Sequence, residues 1–236
     1  MKDLKRKYIS EMAGTFILVF FGCGTAMATN ANVVATSLAF GISIIIAGYS
    51  VSQSSGCHLN PAVSFAMLLE GRMKFKDFTS YIISQIAGSF LATIILAILV
   101  KCGGFSNLYG MEKNHIKDYS FGANGFGNLN FFGALIAEIV LTYVFITVVL
   151  SVTKSKDMGV RKNAPVFIGI ALAFVHLIGI NLTGTSVNPA RSIAPAIFAT
   201  ANTGGLSIAQ LWVFIIGPLA GSFFAVATNS FFNRND

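Results

Sequence analysis

Charge is what this chain lacks. Only 11% of its 236 residues are charged and 54% are hydrophobic, where a soluble domain carries about 25% charged residues. With a mean hydropathy of +0.72, that shortage excludes an ordinary water-soluble domain and places the chain in a lipid bilayer. Cysteine is scarce as well. Cys23, Cys57 and Cys102 are odd in number and have no metal-type spacing, which argues against a disulfide framework or a zinc module. No His-Glu metal spacing, no Gly-x-Ser-x-Gly and no close carboxylate pair occurs, so neither an enzyme nor a metal or other cofactor is expected.

The charge that is present is mostly basic, with a net value of +7. Nucleic acid is excluded as the reason by where the charges fall. Lys2, Lys5, Arg6 and Lys7 precede the first apolar run, and Arg72, Lys74 and Lys76 follow a short one. Lys154, Lys156, Arg161 and Lys162 share one loop, and Arg234 is near the end. These are 12 of the 16 basic residues, all on one side if the spans alternate. A positive-inside bias explains that, and it sets both termini as cytoplasmic. The basic N-terminus resembles the start of a signal peptide, but Glu11 interrupts the early apolar stretch and further spans follow. An uncleaved first span in a plasma-membrane protein is expected.

Six stretches are long enough to cross: residues 9–27, 34–51, 81–100, 131–152, 165–182 and 208–231, each within the ~17–25 residues a spanning helix needs. The stretch 101–130, rich in Gly and Asn, reads as one extramembrane connector. It divides a single channel domain, residues 1–236, into repeats of about 1–100 and 131–236. Glu11 lies 49 residues before Asn60, and Glu138 lies 50 before Asn188. Ala87-Gly88-Ser89-Phe90 recurs as Ala220-Gly221-Ser222-Phe223, and Leu38-Ala39-Phe40 as Leu172-Ala173-Phe174. Features recurring in the same order indicate an internal duplication. Three spans per half is an odd number, so the repeat is inverted, giving an all-α bundle of six transmembrane helices and two re-entrant half-helices.

The half-helices follow from Asn-Pro-Ala, present as Asn60-Pro61-Ala62 and Asn188-Pro189-Ala190. Asn is a preferred N-cap, and Pro suits the first helical position because its missing N–H costs nothing there. The apolar runs that follow span residues 63–69 and 192–200. About ten helical residues cover roughly 15 Å, half of a hydrocarbon core of ~30 Å. Residues 52–59 are expected to run extended from the cytoplasmic side to the midplane and residues 182–187 from the opposite side, so that the two helix starts meet. Irregular backbone at that depth must be buried in protein or line a wet cavity. Arg191, at the third position of the second half-helix, is a functional residue by default at bilayer depth. Glu11 and Glu138 are either proton-relay groups of a transporter or supports for the re-entrant segments.

The two boxes with their flanks, Gly56 to Val63 and Thr185 to Ser192, together with Glu-x-x-Gly-Thr-Phe at Glu11–Phe16, resemble the aquaporin (major intrinsic protein) family over nearly the whole chain. The resemblance implies a homotetramer with one pore per subunit and water as permeant. It puts Asn60 and Asn188 at the pore centre and Phe40, His176, Thr185 and Arg191 at an outer selectivity filter. Gly56, Cys57, His58, Leu59, Gly184, Ser186 and Val187 then line the pore from the loops, with Glu11 and Glu138 supporting them. Cys57 stands three residues before Asn60, as Thr185 does before Asn188, so a thiol on the cytoplasmic half of the pore is expected. The glycerol-passing branch typically has Asp after the box arginine and Lys four residues later; Ser192 and Ala196 occupy those places here and favour water. One departure is Ile215 after Phe214, where water channels usually carry an aromatic pair. Glycerol or small-solute passage, and a coupled secondary transporter, are the alternatives.

Overall fold

The computed structural model describes residues 2–105, 120–127 and 129–232; Arg234 and residues 106–119 of the connector lie outside that description. Among the described residues the order is α1 (Lys2–Ala28), α2 (Val33–Ser55), α3 (Pro61–Leu69), α4 (Phe75–Lys101), α5 (Phe131–Lys154), α6 (Met158–Lys162), α7 (Ala164–Thr183), α8 (Pro189–Phe198), α9 (Leu206–Ala209) and α10 (Val213–Phe232). Six segments are long and apolar enough to cross a membrane, namely α1, α2, α4, α5, α7 and Leu206–Phe231. α3 and α8 are the two half-helices.

The helix boundaries have local chemical causes. Asn32 and Asn130 cap α2 and α5 by accepting the N–H of Ala35 and Gly133. Asn60 accepts from Ala62 N, and Asn188 from Ala190 N and Arg191 N, each followed by proline at the first turn. α2 and α7 stop at glycines in the left-handed region, Gly56 at φ 85° and Gly184 at φ 73°, the commonest helix terminator. α2 therefore stays helical to Ser55, and the irregular backbone is shorter than the expected extended run from residue 52. It is the four residues Gly56–Leu59, matched by Gly184–Val187. The expected last span from residue 208 is broken as well: turns at residues 210–212 separate α9 from α10. The basic loop carries a short helix that hydrophobic periodicity does not reveal; Asp157 caps α6 through Gly159 N and Val160 N.

Within each half the first helix packs on two others, α1 on α2 and α4, and α5 on α7 and α10. The halves join where α2 crosses α7, and each half-helix packs on the other half's last span, α3 on α10 and α8 on α4. At the α2–α7 crossing Gly41 meets Gly169, and a Cβ on either would stand 2.5 Å from the other's carbonyl oxygen. Both lie 19 residues before their box asparagine, so they are equivalent positions facing each other across the pseudo-twofold axis. That register corrects one sign of duplication. Leu38 lies 22 residues before Asn60 but Leu172 only 16 before Asn188, so the Leu-Ala-Phe match is not an equivalence. Gly88 and Gly221 do correspond: the first packs on Met12 O and Phe16 N of α1, the second on Ile139 O and Tyr143 N of α5. Small residues permit such backbone approach between membrane helices.

Both ends of the bundle's chain reach one face. Tyr8 meets Tyr81 near the start of α4, Tyr81 donates to Ser55 O at the end of α2, and Glu70 accepts from Lys154 and Asn229. The described basic residues Arg72, Lys154, Arg161 and Lys162 sit at this end, near the close of α3 and α5 and in α6. Around the sides, Leu38, Ile42 and Ile46 of α2 and Ile170, Phe174 and Ile178 of α7 are exposed, as a lipid-facing surface requires.

Candidate functional site

The two irregular loops share an unusual backbone. Gly56, Cys57 and Leu59 have positive φ, and so do Gly184, Thr185 and Val187, the same three places in each loop. A non-glycine residue in this region costs roughly 1–2 kcal/mol, so something must hold it. Glu11 accepts from His58 N at 2.9 Å through Oε1 and from Leu59 N at 2.7 Å through Oε2. Glu138 does the same for Ser186 N and Val187 N, both at 2.9 Å. Each carboxylate takes one further donor, Gln85 Nε2 at 2.8 Å on Glu11 and Thr183 Oγ1 at 2.6 Å on Glu138. Both glutamates are fully buried, and every one of these bonds satisfies a backbone or side-chain group that would otherwise be orphaned in an apolar interior.

Where the half-helices meet, the loops are tied to each other. Asn60 Nδ2 donates to Val187 O at 2.7 Å, and Asn188 Nδ2 donates to Leu59 O at 2.9 Å. Each side-chain oxygen is already committed to its own helix start, at 2.8 Å from Ala62 N and 3.0 Å from Ala190 N. An amide NH2 carries two hydrogens, so each asparagine keeps one N–H beyond the cross-tie. A second symmetric pair lies behind them: His58 Nδ1 is 3.1 Å from Ser64 Oγ, and Ser186 Oγ is 2.6 Å from Ser192 Oγ. Phe214 O stands 3.3 Å from Ser186 Oγ, an alternative acceptor for the same hydroxyl. That carbonyl is free because Pro218, four residues on inside α10, has no N–H to give it.

Asn60, Asn188, His58, Ser186 and Val187 border a cavity of about 10 Å³ whose other walls include Phe40, His176 and Arg191. That is about one water-sized sphere. His176 Nδ1 stands 2.8 Å from Leu172 O; a carbonyl only accepts, so this nitrogen carries the proton. Nε2 is left with a lone pair and has no partner among the described residues. Phe40 stacks on His176 with ring centroids 4.5 Å apart, and the Arg191 guanidinium carbon stands 5.0 Å from the Phe40 ring centre, within cation–π range. The phenylalanine fits because Gly22 of α1 leaves a notch that a Cβ would fill.

Arg191 is held by neutral oxygens. Nη1 donates to Gly122 O at 2.7 Å and Asn124 Oδ1 at 2.8 Å, and Nη2 to Gly184 O at 3.1 Å. No carboxylate lies within ion-pair distance of it among the described residues. Gly122 and Asn124 belong to the Gly/Asn-rich stretch read as a connector; in the fold this part turns inward, with Phe121 and Asn124 buried. Asn124 Nδ2 is bonded to Thr183 O, and Phe126 N to Gln210 Oε1. The bonds to Arg191 span 67 and 69 residues of sequence, and nothing local announces them. The Ser64/Ser192 pair had a signal, since both stand four residues after the box asparagine.

Of the four filter residues expected from the sequence, Phe40, His176 and Arg191 come together on one cavity. Thr185 is not on its wall; its hydroxyl lies against Gly179 of α7, where an added Cβ would run into it. Leu59 and Gly184 contribute carbonyls, to Asn188 and Arg191, and the Leu59 side chain packs against Gly14. Gly56 and Cys57 line a larger cavity of about 340 Å³ toward the basic face, and Ile44 is a wall of both spaces.

The chain matches the major intrinsic protein family over residues 1–228. It is similar to a protein named aquaporin Z from Rhodopseudomonas palustris, 39% identical over 222 residues that cover 91% of this chain and 88% of the relative. It is equally similar to a glycerol uptake facilitator protein-like 6 from Lactiplantibacillus plantarum, 39% identical over 220 residues that cover 93% and 94% of the two chains. Among solved structures, the aquaglyceroporin from Plasmodium falciparum superimposes with a TM-score of 0.78 at 20% identity, over 95% of this chain and 94% of that one, and shares the fold. A cross-tied pair of Asn-Pro-Ala half-helices inside six spanning helices, with these matches, places the chain in the major intrinsic protein family.

Proposed function

We propose that the protein is a passive water channel, conducting in single file along an osmotic difference and excluding protons and ions. The cross-tie of Asn60 and Asn188 beside a one-water cavity is the observation that carries this reading. Each asparagine spends one N–H on the opposite loop and keeps one for a passing water oxygen. A water held by both has its lone pairs occupied and can only donate to its neighbours, which interrupts a proton wire. Two helix N-termini aimed at the same point add about +0.5 charge each, and half-helix dipoles of this kind exclude cations from pores. The alternation of left-handed and ordinary residues at Cys57–Asn60 and Thr185–Asn188 supports a ladder of loop carbonyls for water, with Glu11 and Glu138 keeping the loops in place.

At the outer filter Arg191 supplies donors and positive charge, His176 an acceptor through Nε2, and Phe40 a wall, while Thr185 stands behind them with its hydroxyl against Gly179. A pore so lined is too narrow for a carbon chain. The relatives named aquaporin Z favour water in the same way. A second reading, a glycerol facilitator, is favoured by the L. plantarum relative of equal identity. The basic face is cytoplasmic, both termini with it, and the protein assembles as a homotetramer in the plasma membrane. Stopped-flow light scattering of proteoliposomes separates the readings. Fast shrinkage in sucrose with no re-swelling in glycerol is expected; rapid re-swelling in glycerol would move the assignment to the second reading, and shrinkage no faster than in empty vesicles would overturn both.

A further inference from the structure

The cavity of about 340 Å³ at the basic end is larger than a file of waters needs and lies at the lower limit of small-molecule sites. Its composition is divided. Ile44, Pro165 and Ile168 line it with apolar surface, and Arg161 and Lys162 at the end of α6 line it with charge. Neither cation is in an ion pair among the described residues. The nearest acid in sequence, Asp157, is committed to capping α6 through Gly159 N and Val160 N. Glu70, at the same end, is taken up by Lys154 at 2.5 Å and Arg72 at 3.4 Å. Arg72 also donates to Thr153 Oγ1 at 3.0 Å, and Thr153 is itself part of the cavity wall. Among the described residues the cavity lining therefore carries two cations and no carboxylate, beside its apolar surface.

We propose that this vestibule is a binding site for small organic anions with an apolar body, such as an aromatic or branched carboxylate or sulfonate. The charged group sits between Arg161 and Lys162, and the apolar body lies along Ile44, Pro165 and Ile168. Because Gly56 and Cys57 of the pore loop form its floor and Ile44 continues into the narrow cavity, an occupant obstructs the water path from this side. The ligand chemistry follows from the pairing of features: a bare inorganic anion leaves the apolar wall unused, and a neutral solute leaves the cations unused. The effect weakens with salt, since exposed charges are screened beyond a Debye length of about 8 Å at physiological ionic strength.

The site rests on the channel reading, and one experiment keeps the two apart. Osmotic water permeability is measured in proteoliposomes of wild type and of Arg161→Ala/Lys162→Ala, with benzenesulfonate, benzenesulfonamide or sulfate on both faces. No water flow above empty vesicles in the absence of any additive overturns the channel reading itself. Given flow, the expected result is concentration-dependent block of the wild type by benzenesulfonate, with little block by the isosteric neutral sulfonamide or by sulfate. The double variant, altered only at exposed residues, keeps its basal flow and needs a several-fold higher concentration for half block. Undiminished flow in benzenesulfonate, equal block by the sulfonamide, or unchanged block of the double variant overturns the site. Titration calorimetry on the detergent-solubilised protein reads binding directly; heat from benzenesulfonate that is lost in the double variant supports it, and binding without block overturns the occlusion.

Discussion

Asn124 Oδ1 stands 2.8 Å from Arg191 Nη1 and 2.7 Å from Ser192 Oγ, so one amide oxygen of the inter-half loop grips two successive residues of the second half-helix. Hydrogen bonds to a charged group are worth about 1.5–3 kcal/mol. Asn124→Ala removes one of the three anchors of the guanidinium and leaves Gly122 O and Gly184 O. The filter is expected to loosen, with glycerol re-swelling of proteoliposomes rising while water shrinkage persists. Asn124→Asp keeps the acceptor but sets a negative charge beside Arg191, where a pair at ~4 Å interacts by about 4 kcal/mol at an effective dielectric of ~20. Cation leak measured with a potential-sensitive dye is expected to rise in that variant alone. Unchanged selectivity in both would remove Asn124 from the filter's support.

The glutamate supports differ from their isosteres by one donor. Glu138→Gln places an NH2 against Val187 N or Ser186 N, which both need an acceptor. Leaving one buried N–H unsatisfied costs about 1–3 kcal/mol, and the left-handed φ of Thr185 and Val187 loses its restraint. Lowered thermal stability in detergent and lost water flow are expected together, and the same for Glu11→Gln. A variant with normal flow and normal stability would contradict the support.

Close helix crossing makes its own prediction. A Cβ at Gly221 would lie 2.5 Å from Ile139 O and 3.0 Å from Tyr143 N, and one at Gly88 closer still to Met12 O. Overpacking against backbone costs about 1–3 kcal/mol, so Gly88→Ala and Gly221→Ala are expected to lower the melting temperature. Gly127→Ala is the control, with nothing within 4 Å of the added carbon. Equal melting temperatures for all three would contradict the packing.

Cys57 is half-buried on the floor of the larger cavity, Cys23 is fully buried and Cys102 is exposed. Small thiol reagents are expected to slow water flow through Cys57, with Cys57→Ser resistant and Cys102→Ser as sensitive as wild type. Full labelling of Cys57, read by mass spectrometry, without any loss of flow would place that thiol off the water path.

What was legible in the sequence was local or periodic. Asn60-Pro61 and Asn188-Pro189 dictate helix starts by cap chemistry alone, and the six apolar runs declare their spans by length. The inversion follows from an odd number of spans between equivalent boxes. The departures come from contacts distant in sequence. Residues 121–126 read as connector because Gly and Asn form turns, and only bonds to Arg191, Thr183 and Gln210 make that segment part of the site. The Leu-Ala-Phe match had the right letters in the wrong register, which the facing of Gly41 and Gly169 corrects. The last span breaks before Val213 where Gln210 turns its side-chain oxygen to Phe126 N, a tertiary bond that no hydropathy window contains.

In this reading the meeting point of α3 and α8 passes water and refuses charge. Proteoliposomes loaded with a pH-sensitive dye test it most directly, comparing osmotic shrinkage with proton flux under an imposed pH gradient and a potassium-valinomycin clamp. Water permeability is expected to rise with the amount of protein while proton flux stays at the level of empty vesicles. Proton flux rising in step with protein, or shrinkage that ignores it, would rule out a water-only passage at that point.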